Sequence, residues 1–175
     1  MMYRPLLLTV AMLFSALAQA VTVPLDQAQG QWLAGHRQEA VATVEAELKR
    51  SPDDLKLRFA LGVYRMELHQ TDVAEQIFTA LTQDFPDLAD PYNNLAVLHA
   101  GKGQLDQARA DLEQALRLQP DHAQAQENLG DLLLRLALRA YERSQAALPA
   151  PSAALAQKLK ATQALVLIPS PNPAP

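Results

Sequence analysis

The sequence predicts an all-α protein in which helical hairpins stack side by side into a curved rod. Three observations support this fold class. Proline followed by aspartate recurs every 34 residues, at Pro52, Pro86 and Pro120; small residues recur at the same spacing; and each period divides into two helix-length segments separated by a turn. Self-similarity at a fixed period of roughly 20–50 residues is typical of proteins built from stacked repeats.

Small residues in the same register indicate close crossings between helices. One column holds alanine in each of the first three copies, a second alternates between alanine and glycine, and Val44, Phe78 and Leu112 form an apolar column. A side chain larger than alanine at a close crossing would push the helix axes apart. The sequence therefore predicts contacts between helices at Ala40, Gly62, Ala74, Ala96, Ala108 and Gly130.

The first three copies are each predicted to form a helical hairpin. In the first copy, Pro24 limits the first helix to about residues 25–34, and a second helix is predicted over 36–50. The second copy has the same pattern, with His69 at the turn between its helices. The predicted hairpins cover residues 25–54, 55–88 and 89–122.

The third copy has the most distinct helix boundaries. Asp90 is expected to cap its first helix, with Pro91 as the first helical residue. Two glycines are expected to end that helix, and a second helix begins near Leu105. His99 shares the first helix with apolar neighbours, so packing is its expected role.

The fourth copy starts with the same pattern and then loses it. Ala137 stands where the earlier copies turn, and Glu142 stands in the alanine column. A single long helix is therefore predicted over Ala123–Ala147 as a degenerate fourth copy. Residues 148–167 are predicted to add a capping helix over the open end, and the proline-rich residues 168–175 to form a disordered tail.

The stretch PYNNLAVLHAGKGQLDQARADLEQALRLQP, residues 91–120, resembles the tetratricopeptide repeat (TPR) family, and residues 57–86 resemble it next best. That family prefers glycine at the turn where this chain has His69. The resemblance covers about residues 25–145 and implies a right-handed α–α superhelix of about three TPR helix pairs plus C-terminal capping helices. The chain also looks like exported bacterial TPR proteins that have no assigned activity.

In the TPR family the first helix of each pair lines the concave face, which implies where a peptide would bind. The groove would be apolar on the second copy and amide-rich or acidic on the third and fourth. Two alternatives to a groove-lining role remain open. Phe59 and Met66 would instead be core residues, and Asn94 and Asn128 would cap a helix or bridge backbone between helices. The lining residues that the resemblance implies are Phe59, Val63, Met66, Asn93, Asn94, Val97, Glu127 and Asp131.

Some TPR domains hold C-terminal carboxylates with lysine, arginine and asparagine on successive first helices. The corresponding places in this chain hold Phe59, Val63, Asn94, Gln124 and Asn128. Only Asn94 fits, and these places offer no cation to pair with a carboxylate. The resemblance therefore does not extend to that carboxylate clamp.

Composition and motifs exclude several classes of site. The 175 residues contain no cysteine, so disulfides, thiolate metal sites and a cysteine nucleophile are excluded. The formal net charge of -4 gives no support for nucleic-acid binding. The 4 histidines have no metal-binding spacing, and no nucleophile-elbow, P-loop or dinucleotide motif occurs. We expect no catalytic residue, no cofactor and no metal, and a protein or peptide as the partner.

The first twenty residues have the pattern of a secretion signal. Arg4 precedes an uncharged, mostly apolar run from Leu6 to Leu17, which leads into the small-x-small sequence that ends at Ala20. Cleavage after Ala20 would export the TPR domain, residues 21–147, most simply to the periplasm. An uncleaved membrane anchor is the alternative.

These observations predict a non-enzymatic interaction module of the bacterial cell envelope, which binds a peptide or protein segment in its concave groove. The alternative is a structural or self-associating scaffold. In that alternative, the alanine-rich residues 146–164 pair between copies of the chain.

Overall fold

The computed structural model describes residues 24–150 and 152–168, and each element in these ranges is an α-helix or a connection between helices. The predicted all-α fold class is confirmed. The predicted cleavage position, Ala20, and the proline-rich tail after Ile168 lie outside the described residues. The helices are α1 (Pro24–Leu33), α2 (Arg37–Leu48), α3 (Leu55–Glu67), α4 (Thr71–Asp84), α5 (Ala89–Gly101), α6 (Leu105–Leu118), α7 (Ala123–Ala147) and α8 (Ala153–Val166).

The helices pair into hairpins, and successive hairpins share apolar cores. One core cluster joins α1, α2 and α3 around Trp32 and Tyr64. A second joins α4 to α5 around Phe78, with side chains of α3 packed against it. A third joins α5, α6 and α7 around Leu112. Since each cluster takes helices from two neighbouring hairpins, the cores run along the stack.

The first three hairpins turn by the same backbone geometry. Gly35, His69 and Gly103, spaced by 34 residues, have positive φ angles of 84°, 57° and 76°. At Gly103 the amide donates to the carbonyl of Ala100 (3.1 Å), and the next amide reaches back five residues to His99 (2.9 Å). This is the left-handed helix ending that glycine adopts without strain. His69 makes the same turn with a side chain that disfavours it.

Helix starts follow local capping, with one correction. The Asp54 side chain caps α3 by accepting a hydrogen bond of 3.0 Å from the amide of Leu57. The predicted cap at Asp90 is wrong, because α5 begins one residue earlier, at Ala89, behind an extended Leu88. Asp90 and Pro91 therefore lie in the first turn, where a carboxylate favours the helix dipole and proline lacks only an amide that has no partner there.

The structure buries five of the six predicted small contact residues. Gly62 shows why a small residue is needed, since a Cβ atom built on it would lie 2.8 Å from two ring carbons of Phe78. The equivalent positions in the other two hairpins, 34 residues away, hold alanine together with a residue smaller than phenylalanine. They are Ala28 and Val44 in the first hairpin and Ala96 and Leu112 in the third. The buried small residues are Ala40, Gly62, Ala74, Ala96 and Ala108.

Gly130 is the correction in this set. It is exposed, and a Cβ atom built on it would meet nothing within 4 Å. The reason lies seven residues further on: Ala137 does not turn, so α7 continues to Ala147. In the part of the chain that the structure describes, no second helix therefore returns across Gly130, and α8 packs against α7 after a separate connection that begins at Leu148.

Candidate peptide-binding groove

A groove of about 700 Å³ crosses the first helices of the three hairpins. Four residues of α1 and six of α3 form most of its wall, and the segment that enters α5 forms the rest. The wall is mainly apolar, and its large side chains include Leu25, Trp32, Leu33, Phe59, Val63 and Pro91.

Stacked aromatic rings form the floor. Trp32 and Tyr64 lie parallel with ring centroids 4.2 Å apart, and both residues are buried. The Arg37 guanidinium lies 5.2 Å from the centre of the Trp32 ring. Phe59 meets Phe78 of the second core cluster edge-on at 5.7 Å. These contacts join the floor to the core, so it is a preformed surface.

The hydroxyl group of Tyr64, one of the two stacked residues of the floor, is buried. Its oxygen has no hydrogen-bond partner among the described residues. Burial raises the pKa of the Tyr64 phenol, because ionisation would place a charge where water cannot solvate it.

The rim of the groove presents a large apolar side chain to solvent. Leu33, at the end of α1, keeps 79% of its surface exposed although it lines the groove. It follows the buried Trp32 directly, so the wall changes from covered to open within one residue. An exposed apolar side chain beside a preformed apolar wall is typical of a surface that binds another molecule.

Two charged side chains stand on the wall. Lys56 lies on α3 and Asp90 on α5, and both are exposed. One oxygen of Asp90 lies 2.9 Å from Nε2 of His122. His122 also caps α7, since its Nδ1 accepts a hydrogen bond of 3.2 Å from the amide of Ala125. Lys56 has no hydrogen bond or ion pair with any residue in the described ranges.

Two of the predicted groove residues line this cavity. Phe59 and Val63 are on its wall, and both also pack against the core cluster around Phe78. Met66 packs against the same cluster but is not on the wall. Phe59 therefore belongs both to the groove wall and to the core, two roles that were alternatives at the level of sequence.

The predicted residues of the third and fourth copies lie outside the groove. Asn93 corrects the prediction most clearly: it is buried, and its side-chain oxygen accepts a hydrogen bond of 2.8 Å from Asn128. That bond joins α5 to α7, and Asn94 bonds within its own helix to the carbonyl of Asp90 (3.0 Å). The cavity wall also does not include Val97, Glu127 or Asp131.

The sequence analysis missed the contribution of α1. Subtracting 34 from Phe59, Val63 and Met66 gives Leu25, Gln29 and Trp32, and all three line the groove. The same 34-residue spacing relates Lys56 to Asp90. Neither residue is at one of the five positions that correspond to the carboxylate clamp. The 34-residue spacing alone therefore relates the α1 side of the groove to the α3 side, although the first copy is degenerate.

His99 corrects its predicted apolar role. Its Nδ1 lies 2.6 Å from Asp111 on α6, and its Nε2 lies 3.5 Å from Glu75 on α4. Lys102 adds contacts of 2.6 Å to Asp72 and 2.5 Å to Glu75. This polar network therefore joins the second hairpin to the third.

The pKa values of two carboxyl groups in this network are shifted in opposite directions. The hydrogen bond from Lys102 lowers the pKa of Glu75, and the His99 ring acts in the same sense. Burial raises the pKa of Asp111, against a smaller opposing effect of His99. The two carboxylates engage different nitrogens of the imidazole ring. Within the described ranges, no group of three or more histidine or acidic side chains is placed to hold a metal ion.

None of the helices in residues 24–150 and 152–168 is both long and apolar enough to cross a membrane. Helical hairpins at a 34-residue spacing, with one groove across their first helices, define an α-solenoid scaffold. Profiles of the tetratricopeptide repeat match residues 25–89 and 89–122, which together cover more than half of the chain. The chain belongs to the TPR family, whose fold is that of a protein-interaction scaffold.

Known proteins support the same assignment. Human tetratricopeptide repeat protein 8 is 34% identical over 98 residues, which cover 52% of this chain and 18% of that protein. The first TPR domain of Spaghetti (RPAP3), solved with the HSP90 peptide SRMEEVD, matches with a TM-score of 0.61 at 18% identity. It covers 65% of this chain, and 90% of its own length is matched.

A second solved structure covers more of the chain. MamA from Desulfovibrio magneticus RS-1 matches with a TM-score of 0.59 at 18% identity, over 81% of this chain and 73% of its own. At this level of identity, the likeness to solved structures establishes the superhelical fold. It does not identify a ligand of this chain.

Proposed function

We propose that the chain is a non-enzymatic interaction module that binds a peptide or protein segment in the groove across α1, α3 and α5. The observation that carries the proposal is the preformed apolar wall that ends in the exposed Leu33. Its volume of about 700 Å³ lies within the range of roughly 300–1,000 Å³ common for binding sites. A domain of the same fold, the first TPR domain of Spaghetti (RPAP3), was solved with a bound HSP90 peptide, which supports a peptide as the kind of partner.

Site-specific photo-crosslinking tests where the partner binds. A photoreactive amino acid replaces Gln29, which is exposed on the groove wall, or Gln107, which is exposed on α6 away from it. We expect a discrete crosslinked species from position 29 in intact cells and none from position 107. Crosslinks at 107 alone, or equally from both positions, would assign the partner to another face.

We propose further that the module acts in the bacterial cell envelope after export. The support is the signal pattern that ends at Ala20. The intact mass of protein recovered from the periplasm tests this proposal. A chain that begins at residue 21 supports cleavage, a full-length chain in the membrane fraction supports an anchor, and a full-length cytoplasmic chain contradicts export.

The second candidate function is self-association through the C-terminal end. Exposed apolar side chains cluster there, with Leu165 on α8 and Leu167 and Ile168 after it. Light scattering across a concentration series of the exported form decides the matter. A mass that rises with concentration, and falls back when Leu165 becomes serine, supports the scaffold; a constant monomer mass removes it.

A further inference from the structure

The two charged residues on the groove wall occupy the same place in successive repeats. Lys56 on α3 and Asp90 on α5 are separated by the repeat length, and both line the cavity. Because the first helices line the groove in chain order, Lys56 and Asp90 mark equivalent positions one repeat apart along it. The groove therefore has an electrostatic order from α3 to α5.

The two charges differ in what they already contact. Asp90 is engaged by His122, whose Nδ1 is the acceptor for the α7 amide, so the proton lies on the nitrogen that faces Asp90. Lys56 contacts no acid within the described ranges. Its ammonium group is the uncommitted charge on a wall that is otherwise mostly apolar.

We propose that the groove recognises an internal chain segment in which large apolar residues flank one aspartate or glutamate, and that this acidic side chain pairs with Lys56. The proposal rests on the proposed function of the groove. An acid satisfies the free ammonium group, and the neighbouring apolar residues cover the wall formed by Leu25, Leu33, Phe59 and Val63.

The position of Lys56 selects a side-chain acid rather than a chain terminus. It lies on α3, the middle of the three first helices, with wall residues of α1 on one side and of α5 on the other. A chain that covers this whole wall continues past Lys56 in both directions. Asp90 fixes the direction, because a second acid over α5 would meet a like charge and a basic residue would not.

Selection from a displayed library of random twelve-residue peptides tests this inference. Constant sequences flank the random part at both ends, so that no free carboxylate is offered. The baits are the wild-type chain, Lys56→Glu, Lys56→Gln and the control Lys160→Glu, which changes an exposed lysine on α8. Unchanged thermal melting of each bait shows that the comparison concerns the surface alone.

We expect the wild type and Lys160→Glu to enrich an acidic residue between apolar ones. Lys56→Glu should enrich lysine or arginine at that place, and Lys56→Gln should lose the preference. Trp32 is the only tryptophan in the sequence and lies on the groove floor. Its fluorescence emission therefore reports binding of synthetic copies of the selected peptides. Lys56→Glu should lower the affinity for a peptide selected by the wild type roughly threefold to tenfold.

Each contrary result has a distinct meaning. If the wild type selects peptides but Lys56→Glu selects the same motif, the acid preference is wrong while the groove remains a peptide site. If copies that end in a free carboxylate at the acidic position bind more tightly than internal copies, the choice of a side-chain acid is wrong. If no bait selects peptides, both the groove function and this inference fail.

Discussion

The third hairpin and the long helix α7 share one 34-residue register, but only the hairpin turns. At Gly103 the backbone takes a positive φ of 76° and a second helix returns as α6, whereas at Ala137 the helix continues to Ala147. The consequence appears earlier in each copy: Ala96 is buried, and its counterpart Gly130 is exposed. A small residue is therefore a packing residue only where a helix comes back across it.

Adding a methyl group at equivalent positions should separate the hairpins from α7 most strongly. Gly62→Ala should lower the free energy of unfolding by about 1–3 kcal/mol, because Phe78 is fully buried and its ring cannot move away freely. Gly130→Ala adds its methyl group to open space and should raise stability by up to about 1 kcal/mol. Urea unfolding of both variants measures the difference. Equal effects would contradict the account.

A double variant tests whether Gly62 and Phe78 are coupled. The third hairpin pairs Ala96 with Leu112, and the second pairs Gly62 with Phe78. Combining Gly62→Ala with Phe78→Leu gives the second hairpin the pairing of the third. We expect the double variant to be at least about 1 kcal/mol more stable than the two single effects predict by addition. Additive effects would show that the two residues are not coupled.

Placing glycine at two equivalent turn positions should change stability in opposite directions. His69→Gly removes a side chain from a left-handed position and should stabilise the chain by up to about 1 kcal/mol. Ala137→Gly places glycine inside a continuous helix and should cost roughly 0.5–1 kcal/mol. Thermal melting of the two variants in one buffer compares them. A change of the same sign at both positions would refute the assignment of turn and helix.

The smallest expected effect concerns the polar network between the second and third hairpins. The pKa of Glu75 is lowered in the folded chain, so an unfolded chain takes up that proton first as the pH falls. The stability that Glu75 contributes is therefore present above its ordinary pKa of 4.5 and is lost below it.

The difference in melting temperature between wild type and Glu75→Gln reports mainly on Glu75, because Asp111 is present in both chains and the charge of Glu75 is the smallest influence on the pKa of Asp111. It should shrink from about pH 7 to about pH 3.5. The control is Glu113→Gln, because among the described residues Glu113 pairs only with Arg109 on its own helix. A wild-type advantage over Glu75→Gln that grows with acid would contradict the assignment.

The repeat register was enough to predict the hairpins, since side-chain size alone places their close crossings. It was not enough for Gly130, because burial there depends on whether a later residue turns the chain. The groove was predicted on the second copy through Phe59 and Val63, which lie on its wall. Asn93 and His99 were misjudged because a hydrogen-bond partner 35 or 12 residues away is not visible in a helical pattern.

The most direct test of the central claim, that the groove across α1, α3 and α5 is the binding surface, compares two exposed leucines. Leu33 lies on the groove rim and Leu165 lies on α8, with 79% and 48% of their surfaces exposed. A titration that follows Trp32 emission measures the affinity of each serine variant for a peptide that the wild type binds. The account predicts weaker binding for Leu33→Ser, wild-type binding for Leu165→Ser and unchanged melting for both; equal affinity of both variants, or loss of binding at Leu165 alone, would contradict it.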